Sequence, residues 1–551
     1  MQGDVNLTRA VRLDASRSNG GDDERGGNEG SLSHGAYYNP VIRKALFIIA
    51  FVASACGPTT PPAPPASPVP PAVSALGQSI DAILADPGLA RGYWGVVVRS
   101  LKTGDVLYDV NGAKLMLPAS NMKIVTLAAA AEKLGWNYTF TTSLQAFGTI
   151  ANGTLAGDLV AVGSGDPSLA YADGMADRVF ADWATQLKTA GIRTIAGRVV
   201  GLDNPVDTPE WGDGWMWDDL VEEDSAGIGP LQLNEDAVRM TVAAGPAIGA
   251  SGAVSLAPFA AALTIDSHVT TAAAGSEPSL HLRRLPGAST LDVRGTIPLG
   301  HAPISLGVSV ADPTQFFVDA LRAALIRNGI DVREPAVVRQ SRTPNPESRV
   351  TTLVDYKSPP LSTLAMRLMK ISQNQYAETL FRTVGGRAAV LQTLEPWGIA
   401  PADLIQRDGS GLSRYDLVTP NTLVTILMHI ANNPTLLPPF EASLPVAGDL
   451  GLTNRMKGTA AEGNARAKTG SMTAVRALAG YVTSTDGERL VFSIIANNFD
   501  VAPAAVNAAT DAIVVKLAEF RRSGGPATRA PRGSDPTRPS PVRQSNQTSR
   551  P

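Results

Sequence analysis

The chain has 551 residues, 44% of them hydrophobic and 18% charged, which is room for two or three domains with ordinary cores. Lys and Arg number 47 against 50 Asp and Glu, a formal charge of −3, so no basic field points to a nucleic acid partner. One cysteine and five scattered histidines exclude an intrachain disulfide and give no metal site of the usual zinc spacing, and no cofactor is expected.

Residues 1–40 are polar, rich in Gly and Asp and without periodicity. They are expected to be disordered, or to precede a true translation start at Val41. In residues 41–56, Arg43 and Lys44 are followed by an apolar run from Ala45 to Ala53, then small residues and Cys56. That is a secretory signal pattern with an apolar run too short to span a bilayer. Cys56 directly after Ala53-Ser54-Ala55 resembles a bacterial lipobox, with Ala53 where Leu is usual. The resemblance implies lipidation of Cys56 and a membrane anchor; plain secretion with an incidental cysteine is the alternative. Residues 57–72, half of them proline, are expected to form a polyproline II linker of about 3.1 Å per residue, roughly 50 Å in all.

The body opens with apolar residues at helical spacing over 73–86, then two strands, 92–100 and 105–112. Lys102-Thr103-Gly104 lies between the strands, with Gly104-Asp105 as turn chemistry. Residues 118–135 read as a helix, with Pro118 near its start and Gly135 as its stop. Over 139–338 short strand-like pieces alternate with Gly-rich turns, and a helix follows at 312–330; this is expected to be an inserted strand-rich region. Helical patterns return at 359–386 and 419–433. Two strands around Asp486-Gly487 and a helix over 502–522 close the body. Residues 73–138 and 339–522 are therefore expected to form one domain from two chain halves. The tail, 523–551, is polar, Pro-rich and Arg-bearing and reads as disordered.

Three short patterns carry chemistry. Ser120-Asn121-Met122-Lys123 places Lys123 on the same helix face as Ser120, and a Ser near a helix start has free backbone N–H groups around it, suited to a developing oxyanion. Serine is a weak nucleophile without a base, and a lysine serves only when desolvation or another cation lowers its pKa. Ser372-Gln373-Asn374 puts a hydroxyl and a carboxamide two residues apart in a helical stretch. Lys468-Thr469-Gly470 precedes a strand. Its lysine would help keep Lys123 neutral and, with Thr469, hold a carboxylate, while Gly470 clears the strand edge for a ligand. Lys-Thr-Gly occurs twice, and the copy at 102–104 is explained as a turn.

The order Ser-x-x-Lys, Ser-x-Asn, Lys-Thr-Gly is the signature of penicillin-binding proteins and serine β-lactamases. Together with "LPASNMKIVT", "GDLVAVGSGDPSL", "GWMWDDL", "DGSGLSR" and the long insertion, it makes residues 75–520 resemble the class C low-molecular-mass penicillin-binding proteins, the D-alanyl-D-alanine carboxypeptidase/endopeptidase family. The resemblance implies an α+β, β-lactamase/transpeptidase-like fold, an antiparallel sheet flanked by helices, with a strand-rich insertion between the first and second motifs. It implies a serine D-Ala-D-Ala carboxypeptidase and/or endopeptidase acting on peptidoglycan stem peptides and inhibited by β-lactams, in an exported, periplasmic or cell-envelope protein.

Carried over by position, the resemblance implies that Ser120 is acylated with Lys123 as base, that Ser372 relays a proton and that Asn374 holds the substrate amide. Lys468 and Thr469 bind the terminal carboxylate beside Gly470, and the N–H groups of Ser120 and Ser471 form the oxyanion hole. Asp219 of "GWMWDDL" binds the ammonium of a diaminopimelate side chain, with Arg414 and Thr473 lining the same site; the family often has a longer polar residue at the position of Thr473. Asp166 of "GSGDPSL" reads as a turn former. The alternatives are a serine β-lactamase or an esterase on the same fold, or an inactive peptidoglycan-binding scaffold. No Glu-x-x-Leu-Asn of class A β-lactamases and no Gly-x-Ser-x-Gly of α/β-hydrolases occurs.

Overall fold

Residues 70–522, apart from 204–209, 259–262, 340–349 and 453, are described by a computed structural model. Cys56, the signal pattern, most of the proline-rich run and the C-terminal tail lie outside the described residues. Helix α1 (Pro71–Leu84) starts inside the expected linker, with Pro71 in its first turn, where a missing N–H costs nothing. Strands β1 (Tyr93–Ser100) and β2 (Val106–Val110) form the expected hairpin.

The chain's last three strands, Arg466–Met472, Val475–Thr483 and Arg489–Asn497, continue that hairpin into one antiparallel sheet. Its order is 466–472, 475–483, 489–497, β1, β2. Both faces of β1 are buried: Val96 and Val98 pack with α1 and the helix Pro503–Glu519, and Val97 packs with the helices of the opposite layer, as a period of two requires. That is why β1 reads as an unbroken apolar run.

The opposite layer is built on α2 (Met122–Leu134), whose Ala-rich interior is buried throughout. After α2 the chain leaves the sheet. The hairpin of β3 (Thr141–Ala151) and β4 (Thr154–Gly163) turns at Asn152-Gly153, both at positive φ. It forms the centre of a second sheet covered by α3 (Met175–Thr189) and α4 (Pro313–Arg327). Two three-stranded sheets complete this region. The strand Val350–Lys357 pairs with β3, so the strand-rich region runs to 357 rather than 338. Entry and return are tied: Phe140 N donates to Ser358 Oγ and Ser358 N to Phe140 O, both at 2.9 Å.

The helical stretch expected over 359–386 is α5 (Leu361–Lys370) and α6 (Asn374–Val384), followed by α7 (Gly386–Leu394). It breaks at Ser372, which has a left-handed φ of +65°, a conformation that costs a non-glycine residue about 1–2 kcal/mol. Helices α8 (Pro420–Asn432) and α9 (Leu437–Ser443) finish the layer, and α10 (Pro503–Glu519) packs beside α1.

Candidate active site

Ser120 lies in a single tight turn, Ala119–Asn121, immediately before α2. Ala119 is at φ +46°, which swings the turn against the sheet edge. Lys123 falls one helical turn later and is fully buried. Its Nζ lies 2.9 Å from Ser120 Oγ, 2.6 Å from Asn374 Oδ1 and 2.9 Å from the Ser410 carbonyl oxygen.

The break between α5 and α6 turns Ser372 toward the edge strand, where its Oγ accepts from Lys468 Nζ at 2.8 Å. Gln373, between Ser372 and Asn374, caps α6 by accepting from Gln375 N at 2.8 Å. Asn374 is the first residue of α6. Its Nδ2 donates to the Asp224 carbonyl at 2.7 Å, which fixes the amide so that Oδ1 faces Lys123. Both ends of the Asn374 amide are thus engaged within the protein.

Lys468 and Gly470 lie on the edge strand 466–472, whose outer side faces no other strand among the described residues. A Cβ on Gly470 would stand 2.5 Å from the Pro118 carbonyl oxygen and 3.2 Å from Ala119 Cβ. The expectation that this glycine clears the strand for a ligand is corrected: the space it leaves is taken by the Ser120 turn. Lys468 is fully buried, whereas Thr469 is half-buried and Ser471 exposed.

Burial pushes Lys123 down to about 8, while the carboxylates of Asp408, Asp224, Glu378 and Asp416 pull the other way. Lys468 is held well below its ordinary range, by burial first and by the charge of Lys123 second. The pair therefore favours one ammonium over two. Burial is the leading cause of the lowering at both lysines, and each ammonium disfavours the other.

Arg414 Nη1 donates to the Thr473 carbonyl at 3.1 Å, which brings those two residues together at the end of the edge strand. The segment carrying Asp219 is fastened to the one carrying Arg414. Ser413 Oγ donates to the Asp213 carbonyl at 2.6 Å, and Trp215 Nε1 to Asp408 Oδ2 at 2.8 Å. Asp219 sits half-buried in the turn from Met216 to Glu222. Asp166 accepts from Ser168 N and Oγ at 2.9 and 2.6 Å, a turn-forming geometry.

The buried acids behind Lys123 were not singled out from sequence. Glu378 had a signal, since it follows Asn374 by four residues on one helix face. Asp408 opens the "DGSGLSR" stretch, but nothing local marks a loop Asp as buried.

The profile of the D-Ala-D-Ala carboxypeptidase 3 (S13) family matches residues 76–520. The chain belongs to that family. This S13 chain is 36% identical over 470 residues to a D-alanyl-D-alanine carboxypeptidase of Actinomadura sp. (strain R39), covering 81% of this chain and 85% of that protein. Its fold is similar to the crystal structure of penicillin binding protein 4 (dacB) from Haemophilus influenzae. The TM-score is 0.69 at 26% identity, over 81% of this chain and 99% of the other. A second structure of that protein, complexed with a novel β-lactam, has a TM-score of 0.62 at 25% identity, over 80% of this chain and 97% of the other. The S13 protein is accordingly a serine-type peptidase with the α+β fold of this group.

Proposed function

We propose that the protein removes the terminal D-Ala of peptidoglycan stem peptides ending in D-Ala-D-Ala, through an acyl-enzyme on Ser120, and that β-lactams acylate the same serine. The observation that carries this reading is the surroundings of Lys123 Nζ. Asn374 Oδ1 and the Ser410 carbonyl can only accept, so the two N–H bonds of a neutral amine are used on them. Its lone pair is then left for the Ser120 hydroxyl. Burial supports the neutral form needed for that step.

Ser120 Oγ attacks the carbonyl of the penultimate D-Ala while its proton passes to Lys123. The tetrahedral oxyanion is received by the N–H groups of Ser120 and Ser471. Ser372, held by Lys468, relays the proton that Lys123 has taken up to the departing amine, giving its hydroxyl proton and receiving one in return. Lys468 and Thr469 bind the terminal carboxylate, and water then cleaves the acyl-enzyme. Asn374 holds Lys123 in the resting site and meets the substrate amide on binding. Asp219, Arg414 and Thr473 form the pocket for the side chain upstream of the scissile bond.

Incubating the protein with a pentapeptide and with fluorescent penicillin tests this. Free D-Ala and labelling that is lost in Ser120→Ala are expected; labelling that survives in Ser120→Ala overturns it. Digestion of cross-linked muropeptides shows whether the same acyl-enzyme also forms with a second strand as leaving group.

We also propose export and anchoring through lipidated Cys56, supported by the sequence pattern of residues 41–56. No helix of the described residues is long and apolar enough to cross a membrane. Mass spectrometry of the mature N-terminus tests the anchor: an unmodified Cys56 overturns it.

A further inference from the structure

Glu378 is buried against the site and has no part in the steps above. It lies one turn beyond Asn374 on α6 and is 1% exposed. Its Oε1 accepts from Gly409 N at 2.9 Å and from Ser410 N at 2.8 Å. Ser410 is the residue whose carbonyl oxygen lies 2.9 Å from Lys123 Nζ. The carboxylate, the backbone of Ser410 and the lysine therefore form one continuous chain of hydrogen bonds.

The loop in this chain has little freedom elsewhere. Thr126 Oγ1, on α2, donates to the Gly409 carbonyl at 2.7 Å, and Asp408 accepts from Gly411 N and Ser413 N at 2.6 and 2.7 Å. A Cβ on Gly409 would stand 2.3 Å from the Ala377 carbonyl, and one on Gly411 would stand 1.9 Å from the Ala119 carbonyl. The loop is wedged between α6 and the Ser120 turn. A neutral side chain could satisfy both N–H groups, so a buried acid here is unexplained by packing alone.

We infer that Glu378 is a positioning residue for acylation: through the Ser410 backbone it sets a carbonyl oxygen against Lys123, and it places one of the buried negative charges behind that lysine. The inference rests on the reading of Lys123 as the base. The charged groups around the pair are Asp408 and Asp416 from the loop, Arg382 further along α6, Asp224, and Lys468 from the edge strand. Burial and then Asp408 push Glu378 up to about 7. When ionised it favours the ammonium form of Lys123. Removing that charge makes Lys123 neutral at lower pH, which moves the acid limb of acylation downward.

The test is the second-order rate of acylation by fluorescent penicillin, measured from about pH 5.5 to about 9.5, for wild type, Glu378→Gln and Glu378→Ala, with melting temperature recorded for each. Gln keeps an acceptor for both N–H groups. Its acid limb is expected to fall by about half a pH unit or more, a change that a purely structural residue would not produce. Ala leaves two buried N–H groups unpaired, and its plateau is expected to drop about tenfold or more below wild type.

An Glu378→Gln profile that superimposes on wild type, or a folded Glu378→Ala that acylates at the wild-type rate, overturns the inference. If Glu378→Ala does not fold, the Glu378→Gln profile decides alone. A wild-type protein that neither labels nor releases D-Ala would overturn the acyl-enzyme reading itself, which is a different result from matching profiles in an active enzyme.

Discussion

Lys468 Nζ donates to Ser372 Oγ at 2.8 Å, joining the edge strand to the break between α5 and α6. Among the described residues the other Lys-Thr-Gly has no such side-chain partner. Lys102 is exposed in the turn between β1 and β2, where Gly104 adopts φ +78°. Lys468→Ala should lower D-Ala release by about a hundredfold or more, and Lys102→Ala should leave it within about twofold, since surface changes of this kind have small effects. A D-Ala assay on both variants distinguishes the two copies. Equal loss in both would contradict the assignment.

Gly470→Ala should damage the site through packing. The added methyl would meet the Pro118 carbonyl at 2.5 Å, and overpacking of this sort costs about 1–3 kcal/mol. Because the obstructed group belongs to the Ser120 turn, penicillin acylation should fall together with melting temperature. Unchanged acylation in a folded Gly470→Ala would show that turn and strand move independently.

Acylation should rise with pH through the region near 8. Lys123 is pushed down to about 8; below that value it is predominantly an ammonium and has no lone pair for Ser120, and above it the neutral amine predominates. The rate of penicillin labelling should therefore show an acid limb in that region. A rate that falls as pH rises through 8 would have the sign wrong for a lysine base.

Asp219→Asn should discriminate among substrates. Removing the carboxylate should raise KM for a peptide carrying a side-chain ammonium by about tenfold more than for one lacking it, as expected for a partly buried charge pair near 1.4 kcal/mol. Steady-state kinetics on the two peptides measure this. A common factor on both would place Asp219 outside the side-chain pocket.

Much of the fold was legible because its cues are local. The β1–β2 turn has Gly104-Asp105, α2 has its Ala-rich run and Gly135, and the closing hairpin has Asp486-Gly487. The order of Ser120, Lys123, Ser372, Asn374 and Lys468 marked them as candidates; in the structure Ser120 and Asn374 lie within hydrogen-bonding reach of Lys123, and Ser372 within reach of Lys468. The break at Ser372 was not legible: the residues around it have good helical periodicity, and the partner its hydroxyl meets there, Lys468, is 96 residues away. The strand 350–357 was misplaced because its partner, β3, lies two hundred residues away, beyond any local pattern. The Glu378–Asp408–Asp416 cluster was missed for the same reason, since burial of an acid is decided by what packs over it.

The order of strands in the main sheet has a consequence for biosynthesis. Residues Tyr93 to Ser100 pair on one side with the adjacent β2 and on the other with Leu490 to Asn497, so a growing chain presents Ser120 long before the strand bearing Lys468 exists. Contacts this distant in sequence form late and slowly, and the segment 139–357 has its own core to complete meanwhile. The sheet edge against which the Ser120 turn packs is therefore completed only when the final strands pair with the first. A chain lacking the closing hairpin at 475–497 would keep the Ser120 turn but lose both strands that join Arg466–Met472 to β1.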